Sequence, residues 1–434
     1  MQLRLNSFFP LLAMSLLLAG CQRELELTYT PSAEVQELSE QEQADIKLLL
    51  VKFYGTPSDP TLRVLAEDAP EEIDPTEEDP FPFELESKLD PDHLKLGAQV
   101  YQDRCASCHG VTGDGNGPAA EYLDPKPRDY REGIFKFTST GRSKPRKADL
   151  IRTVKYGARG TSMPSFRWLD QDELSAVVDY VIVLAQRGEV EGKLVVLTQD
   201  EELEYAAEDA RSVYESWKNA SSNLIQPITP RPPMTEEAIV SGRHEFLVKG
   251  CAKCHGANAQ GFTTFAMQDD WGNEIHAANL TSGMLHGGRR DIDVYRRIYS
   301  GINGTPMPAF GPEFSPAYKD NPEKIWHLTY YVLAMADGRE FPYVSDAEAT
   351  RMAAEEVAKD LPASVTEPMP RVESVNDTPD KEEESPAPMP QESQTPESSS
   401  PETSSDNDAP LTNTSDEILP EDPREASPQP PVVE

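Results

Sequence analysis

The sequence is poor in several things that most chains of its length have in quantity. It has five cysteines in 434 residues. Four of these fall in two short motifs and the fifth is Cys21, so none remains for a framework of structural disulfides. It has no long apolar run: the longest, Phe8–Leu18, is well short of the ~20 residues that span a bilayer. Between residues 22 and 233 it has one methionine, Met163. Positive charge is also scarce, with 40 Lys and Arg against 76 Asp and Glu. Together with 39 prolines, that balance implies long solvated segments that cannot all pack.

What is present is a duplication. Cys105-Ala-Ser-Cys108-His109 returns 146 residues on as Cys251-Ala-Lys-Cys254-His255. C-x-x-C-H is the attachment signature of c-type haem: two thiols to bond the porphyrin vinyl groups, and a histidine beneath the iron. A thioredoxin-like pair would need a βαβ surround, which neither repeat offers. A four-cysteine zinc site would leave the long gap and both histidines as coincidences. Past each motif comes an irregular loop, Gly157-Ala-Arg-Gly160-Thr161-Ser-Met163-Pro164-Ser-Phe166 and Gly301-Ile-Asn-Gly304-Thr305-Pro-Met307-Pro308-Ala-Phe310. Glycines, Thr, Met, Pro and Phe coincide at a constant offset of 144. A lone Met is usually a core gap-filler, but a Gly/Pro-flanked loop favours axial ligation by Met163 and Met307. Met267, Met284 and Met335 compete for the second role.

On these residues both halves resemble class I cytochrome c domains, over roughly residues 90–188 and 236–340. The resemblance implies an all-α fold with two haem-wrapping helical domains and two covalently bound haem c groups. Cys105, Cys108, Cys251 and Cys254 would carry the thioethers. His109 with Met163, and His255 with Met307, would ligate iron. In this family a proline carbonyl usually accepts the ligand histidine's other N–H. Pro118 is the candidate in the first half, and no proline lies between His255 and Pro306.

The rest of the chain supplies placement. Residues 1–20 read as a targeting peptide, and Leu18-Ala19-Gly20-Cys21 resembles a bacterial lipoprotein box, with Cys21 lipidated after cleavage. Residues 21–89 read as an acidic, Pro-rich spacer with one helix over Ser39–Phe53, its Ile46, Leu49, Leu50 and Phe53 on one face. In the first domain Asp92–Arg104 is the first helix, with Gly97 allowing a close crossing. The last helix begins at Asp170 with Glu173 as capping partner and ends at Gly188. Residues 189–235 form a helical linker with a Thr198/Glu201 capping box. In the second domain the expected helices are Thr235–Lys249 and one after Asn321-Pro322. The segment Gly261–Leu285 reads as an insertion without a counterpart. Residues 341–434 read as a frayed helix, then a disordered acidic tail.

The expected function is a lipid-anchored dihaem electron carrier, not an enzyme, in a bacterial respiratory chain facing the periplasm. Its partners would be redox proteins and, through the anchor, a membrane, with no nucleic acid and no small-molecule substrate. Two other readings stand: a subunit of a quinol-oxidising or terminal-oxidase complex, and a dihaem peroxidase with a labile sixth ligand. Arg289 and Arg290 are candidates for haem propionates or ordinary surface charge. The basic run Lys126–Arg159, which includes Lys144, Arg146 and Lys147, is either a solvated face or a surface that steers an acidic partner.

Overall fold

A computed structural model describes residues 27–67, 80–141, 143–261, 265–312, 318 and 321–359. The targeting segment, Cys21, Arg142 and the tail beyond Lys359 lie outside the described residues. The described residues are mostly helical, as expected for an all-α fold, with two short antiparallel strand pairs. Among the described residues no helix is long and apolar enough to cross a membrane.

Two hydrophobic cores divide the chain near residue 220. Each is built on a pair of crossed helices. In the first, α3 (Pro91–Arg104) begins at Asp90, whose carboxylate accepts the His93 N–H at 2.9 Å. It crosses α6 (Gln171–Gln199), which starts in a reciprocal Asp170/Glu173 capping box. The crossing depends on Gly97, because a Cβ there would run into the Ala176 carbonyl. In the second, α8 (Glu236–Val248) crosses α11 (Lys324–Ala336), and Gly242 meets the His327 carbonyl in the same way. Between each pair stand the Cys-containing turn, α4 (Ala106–His109) or α9 (Cys251–His255), and a middle helix, α5 (Lys147–Tyr156) or α10 (Asp291–Ser300).

The segment read as a spacer is largely packed structure. Helix α2 (Glu40–Tyr54), which follows the short α1 (Ala33–Gln36), forms the expected one-sided helix, capped by Ser39 and Glu42. Its Ile46, Leu49, Leu50, Phe53 and Tyr54 are buried in the first core. Burying such side chains contributes about 1.5–3 kcal/mol each, more than a solvated tether would carry. Strands β1 (Arg63–Leu65) and β2 (Leu85–Ser87) pair antiparallel beside it, with Val64 opposite Glu86. The acidic stretch 68–79 lies outside the described residues.

Gly188 does not end the last helix of the first domain, which runs on to Gln199. The glycine is there because Arg131 backbone lies against it, leaving no room for a Cβ. Val190, Leu194 and Val195 continue the buried stripe. Nor does the Thr198/Glu201 box form: Thr198 sits inside α6 and its hydroxyl lacks a partner. Helix α7 (Ala206–Lys218) packs Ala207, Ala210, Val213 and Trp217 onto the same core, so the linker belongs mostly to the first domain. The chain then reaches the second core, where Trp326 Nε1 donates to the Thr229 carbonyl (3.3 Å) and the Tyr330 hydroxyl to that of Pro232.

The segment read as an insertion, Gly261–Leu285, has a counterpart. Gly115 and Gly261 donate to the carbonyls of His109 (3.0 Å) and His255 (2.8 Å). Tyr130 and Leu280 donate in turn to Gly113 and Ala259. The second loop is only a few residues longer and carries the hairpin β3 (Met267–Gln268) and β4 (Glu274–Ile275). The helix expected to fray is α12 (Asp346–Lys359), anchored where Asp346 accepts the Ala257 N–H at 3.0 Å. Both cores fall within one compact unit that runs to Ala354. The other unit begins at Glu355 and is described only to Lys359.

Candidate haem-attachment sites

Each C-x-x-C-H motif is one turn of helix entered from a longer helix. Helix α3 ends at Arg104, and the His109 N–H donates to the Cys105 carbonyl at 2.9 Å. Residues at i, i+3 and i+4 of a helical turn share a face, so both thiols and the imidazole point the same way. A glycine at positive φ, Gly110 (75°) or Gly256 (74°), turns the chain away directly after the histidine. None of the four cysteines is in a disulfide, and burial would push the thiols of Cys105 and Cys251 up to about 12.

The two histidines are held alike. His109 Nδ1 lies 3.2 Å from the Arg128 carbonyl, and His255 Nδ1 lies 3.0 Å from that of Ala278. A carbonyl only accepts, so the proton sits on Nδ1 and the Nε2 lone pair is left for a metal. Burial lowers the pKa of both imidazoles, opposed by those same carbonyl bonds. Each is therefore neutral near pH 7, the form that ligates iron. Pro118 is not the acceptor in the first half, and the second half needs no proline, because Ala278 supplies the carbonyl.

The methionine loops share most of their hydrogen bonds. Gly157 (φ 70°) ends α5 and Gly301 (φ 74°) ends α10. Ala158 donates to the Met163 carbonyl and Ile302 to that of Met307, both at 3.3 Å. The Thr161 hydroxyl donates to Ala158 (2.7 Å) and accepts from Met163 N–H (3.2 Å). Thr305 does the same between Ile302 (2.8 Å) and Met307 (3.3 Å). Phe166 and Phe310 then tie back to Val154 and Ile298. Of the competing methionines, Met267 and Met335 are core residues, while Met284 is exposed beside Gly160 of the first domain's loop.

The side chains present fit two haem c groups: a thiol pair, a neutral imidazole and a loop methionine in each half. The buried polar atoms without partners in the second half include the Tyr318 hydroxyl and Trp271 Nε1. Of the other histidines, His276 is exposed and His327 Nδ1 lies 3.0 Å from the Ser241 hydroxyl. Arg289 and Arg290 already have carboxylate partners, Asp337 and Asp293.

Much of the basic run is also committed within the fold. Arg131 pairs with Asp129 (2.7 Å), Lys144 with Glu189, Lys147 with Asp179 (2.7 Å) and Arg152 with Asp293 of the second domain (2.7 Å). Sequence reasoning missed the tyrosines behind the first site. The Tyr101 hydroxyl donates to the Gly110 carbonyl at 2.8 Å and lies 2.5 Å from the Tyr130 hydroxyl, and the Tyr130 ring packs on His109. It also missed the seam between the domains. There Arg152, Tyr156, Arg159, His286 and Arg289 line a cavity of about 30 Å³, and Arg128 stacks on Trp271.

No curated protein matches the chain. Among solved structures, a chain of the Kuenenia stuttgartiensis reducing HAO-like protein complex is similar at 28% identity and a TM-score of 0.42, over 56% of this chain and 96% of that one. Residues 92–181 match the family model for cytochrome c oxidase, cbb3-type, subunit III. That span runs from α3 through the Cys105–His109 turn and the Met163 loop into α6, and the match supports a cytochrome c-type domain there, with covalently bound haem c and a role in electron transfer.

Proposed function

We propose that the chain is a dihaem c-type cytochrome that passes single electrons, with His109/Met163 and His255/Met307 as the axial pairs. The observation that carries this reading is the duplication of the Met-loop hydrogen bonds, down to the threonine hydroxyl that braces each methionine N–H. Haem c, when bound, supplies a one-electron couple at iron. The chain's own residues do the rest. Cys105, Cys108, Cys251 and Cys254 anchor the porphyrins. The Arg128 and Ala278 carbonyls keep the proton on Nδ1, so that each Nε2 remains a donor. His109 with Met163, and His255 with Met307, would hold each iron through protein side chains alone, which would leave no place for a substrate there and favours a carrier over an enzyme.

A spectroscopic redox titration of the purified protein tests this reading. Two one-electron couples, each with His/Met spectra, are expected; a single couple would refute it.

The match of residues 92–181 to an oxidase subunit favours a second reading of the setting: an electron-transfer subunit of a terminal-oxidase complex in a bacterial respiratory chain. Co-purification with large membrane subunits separates it from a free shuttle. For attachment we infer a lipid at Cys21, on the sequence Leu18-Ala-Gly-Cys21, with the haem domains facing the periplasm. Cys21→Ser is then expected to release an exported, haem-loaded protein from membranes. Retention after a high-salt wash would mean another attachment.

A further inference from the structure

Arg128 acts on both sides of the seam. Its carbonyl accepts His109 Nδ1–H at 3.2 Å, fixing the ligand of the first site. Its guanidinium lies 3.9 Å from the centre of the Trp271 ring, which belongs to the second domain. Burial holds that guanidinium down to about 10, with Asp269 opposing. A desolvated cation over an indole face is bound more tightly than an exposed one.

Trp271 is itself positioned. Asp269 accepts the N–H groups of Trp271 (3.2 Å) and Asn273 (2.9 Å), closing a tight turn between β3 and β4. The indole lies over Gly304, where any Cβ would strike the ring, and the Asp270 N–H donates to the Gly304 carbonyl at 3.3 Å. Ile134 of the first domain also comes up against Gly304. Gly304 precedes Thr305, whose hydroxyl braces Met307. A continuous chain of contacts therefore runs from His109 through Arg128, Trp271 and Gly304 into the Met307 loop. The Trp271 Nε1–H is buried without a hydrogen-bond partner among the described residues, although the residue as a whole is only half-buried.

We propose that the Arg128–Trp271 stack is the bridge between the two sites: Trp271 is a positioning residue that sets the Met307 loop against the His109 side of the first domain and so governs electron exchange between them. The proposal rests on the dihaem reading. In each exchange one site loses an electron and the other gains it. The indole and guanidinium gain or lose neither electron nor proton, so no further reactant is required.

The test uses the full holoprotein. Haem per chain is measured first. The sites are then partly photoreduced, and equilibration between them is followed by absorbance in native protein, Trp271→Ala and Arg128→Lys. Arg128→Lys keeps the charge and the His109 acceptor carbonyl but loses the planar stack, so it stands in should Trp271→Ala fail to fold. With two haems and both methionine–iron bands retained, exchange is expected to slow about tenfold to a hundredfold, the scale set by a misplacement of ~1 Å at a reacting pair. Unchanged exchange in a two-haem protein overturns the bridge alone, even if Tm falls, because that pattern is mere packing. One haem per native chain overturns the bridge together with the dihaem reading.

Discussion

The two halves of the molecule repeat one C-x-x-C-H turn and one methionine loop in different settings. In the first, the crossed helices are wrapped by α2, a β-hairpin, the extended end of α6 and α7. In the second, the same cross has fewer coverings: the Thr229–Pro232 strap, the β3–β4 loop and α12. The repeated features are those that touch the site: the helical C-x-x-C-H turn, the carbonyl on Nδ1, the threonine-braced methionine and the glycine at the helix crossing. Features that differ lie a step away. Arg128 gives way to Ala278 as acceptor, Gly113 to Ala259 at φ 59°, and Ala176 to His327 at the crossing. Backbone geometry around the ligands is thus held constant while side-chain identity is free, because a carbonyl or a turn can come from any residue whose backbone fits.

The strongest way to break the symmetry is at the methionines. Met163→Ala and Met307→Ala should each remove one methionine–iron charge-transfer band in the oxidised protein and lower the potential of that site only. If Met307→Ala leaves both bands, another methionine holds the second site, and the exposed Met284 becomes the next ligand to examine.

Phe53→Ala probes the wrapping that only the first half has. Phe53 is fully buried, stacked on Phe83 and edge-on to Tyr54. The variant should destabilise the first domain by about 3–5 kcal/mol in denaturant melts, with the second site's spectrum unchanged at the midpoint. No loss of stability would return α2 to the role of a tether.

Gly97→Val and Gly242→Val sharpen what the halves share. Each puts a side chain into the carbonyl of the facing helix, at a cost of about 1–3 kcal/mol or more. Thermal melts should show similar losses for the two. A harmless Gly242→Val would mean that the second cross is looser than the first.

The smallest effect is a pH dependence confined to the second half. Burial lowers the His327 pKa, against Glu323 and Glu245, which raise it, while Lys324 lowers it further. A depressed folded-state pKa gives stability that is present above the unfolded value of about 6.5 and is lost as pH falls below that value and through the lower folded-state one. His327→Gln should therefore make Tm fall less steeply with acid below that point. An identical profile would assign the acid sensitivity elsewhere.

The fold, the paired methionine loops and the helix caps were legible wherever chemistry fixes spacing, as in C-x-x-C-H, the Gly-Thr-x-Met-Pro loops and the Ser39 and Asp170 caps. Where a residue's role depends on a distant neighbour, the sequence was silent. Gly188 looks like a helix stop, but its reason is Arg131 backbone on another segment. Lys144, Lys147 and Arg152 look like one basic surface, yet their carboxylates lie 45, 32 and 141 residues away. The residues read as a spacer lacked a visible partner because that partner is α6, more than a hundred residues on. The acceptors of the two histidines are backbone atoms of Arg128 and Ala278, which no side-chain pattern marks.

The central claim is that the second half carries a haem of its own, and haem per chain measures it directly. Native protein should contain two haems per chain, and Cys251→Ser with Cys254→Ser should contain one, with the first site's spectrum intact. One haem in native protein, unchanged by that double substitution, would contradict the account.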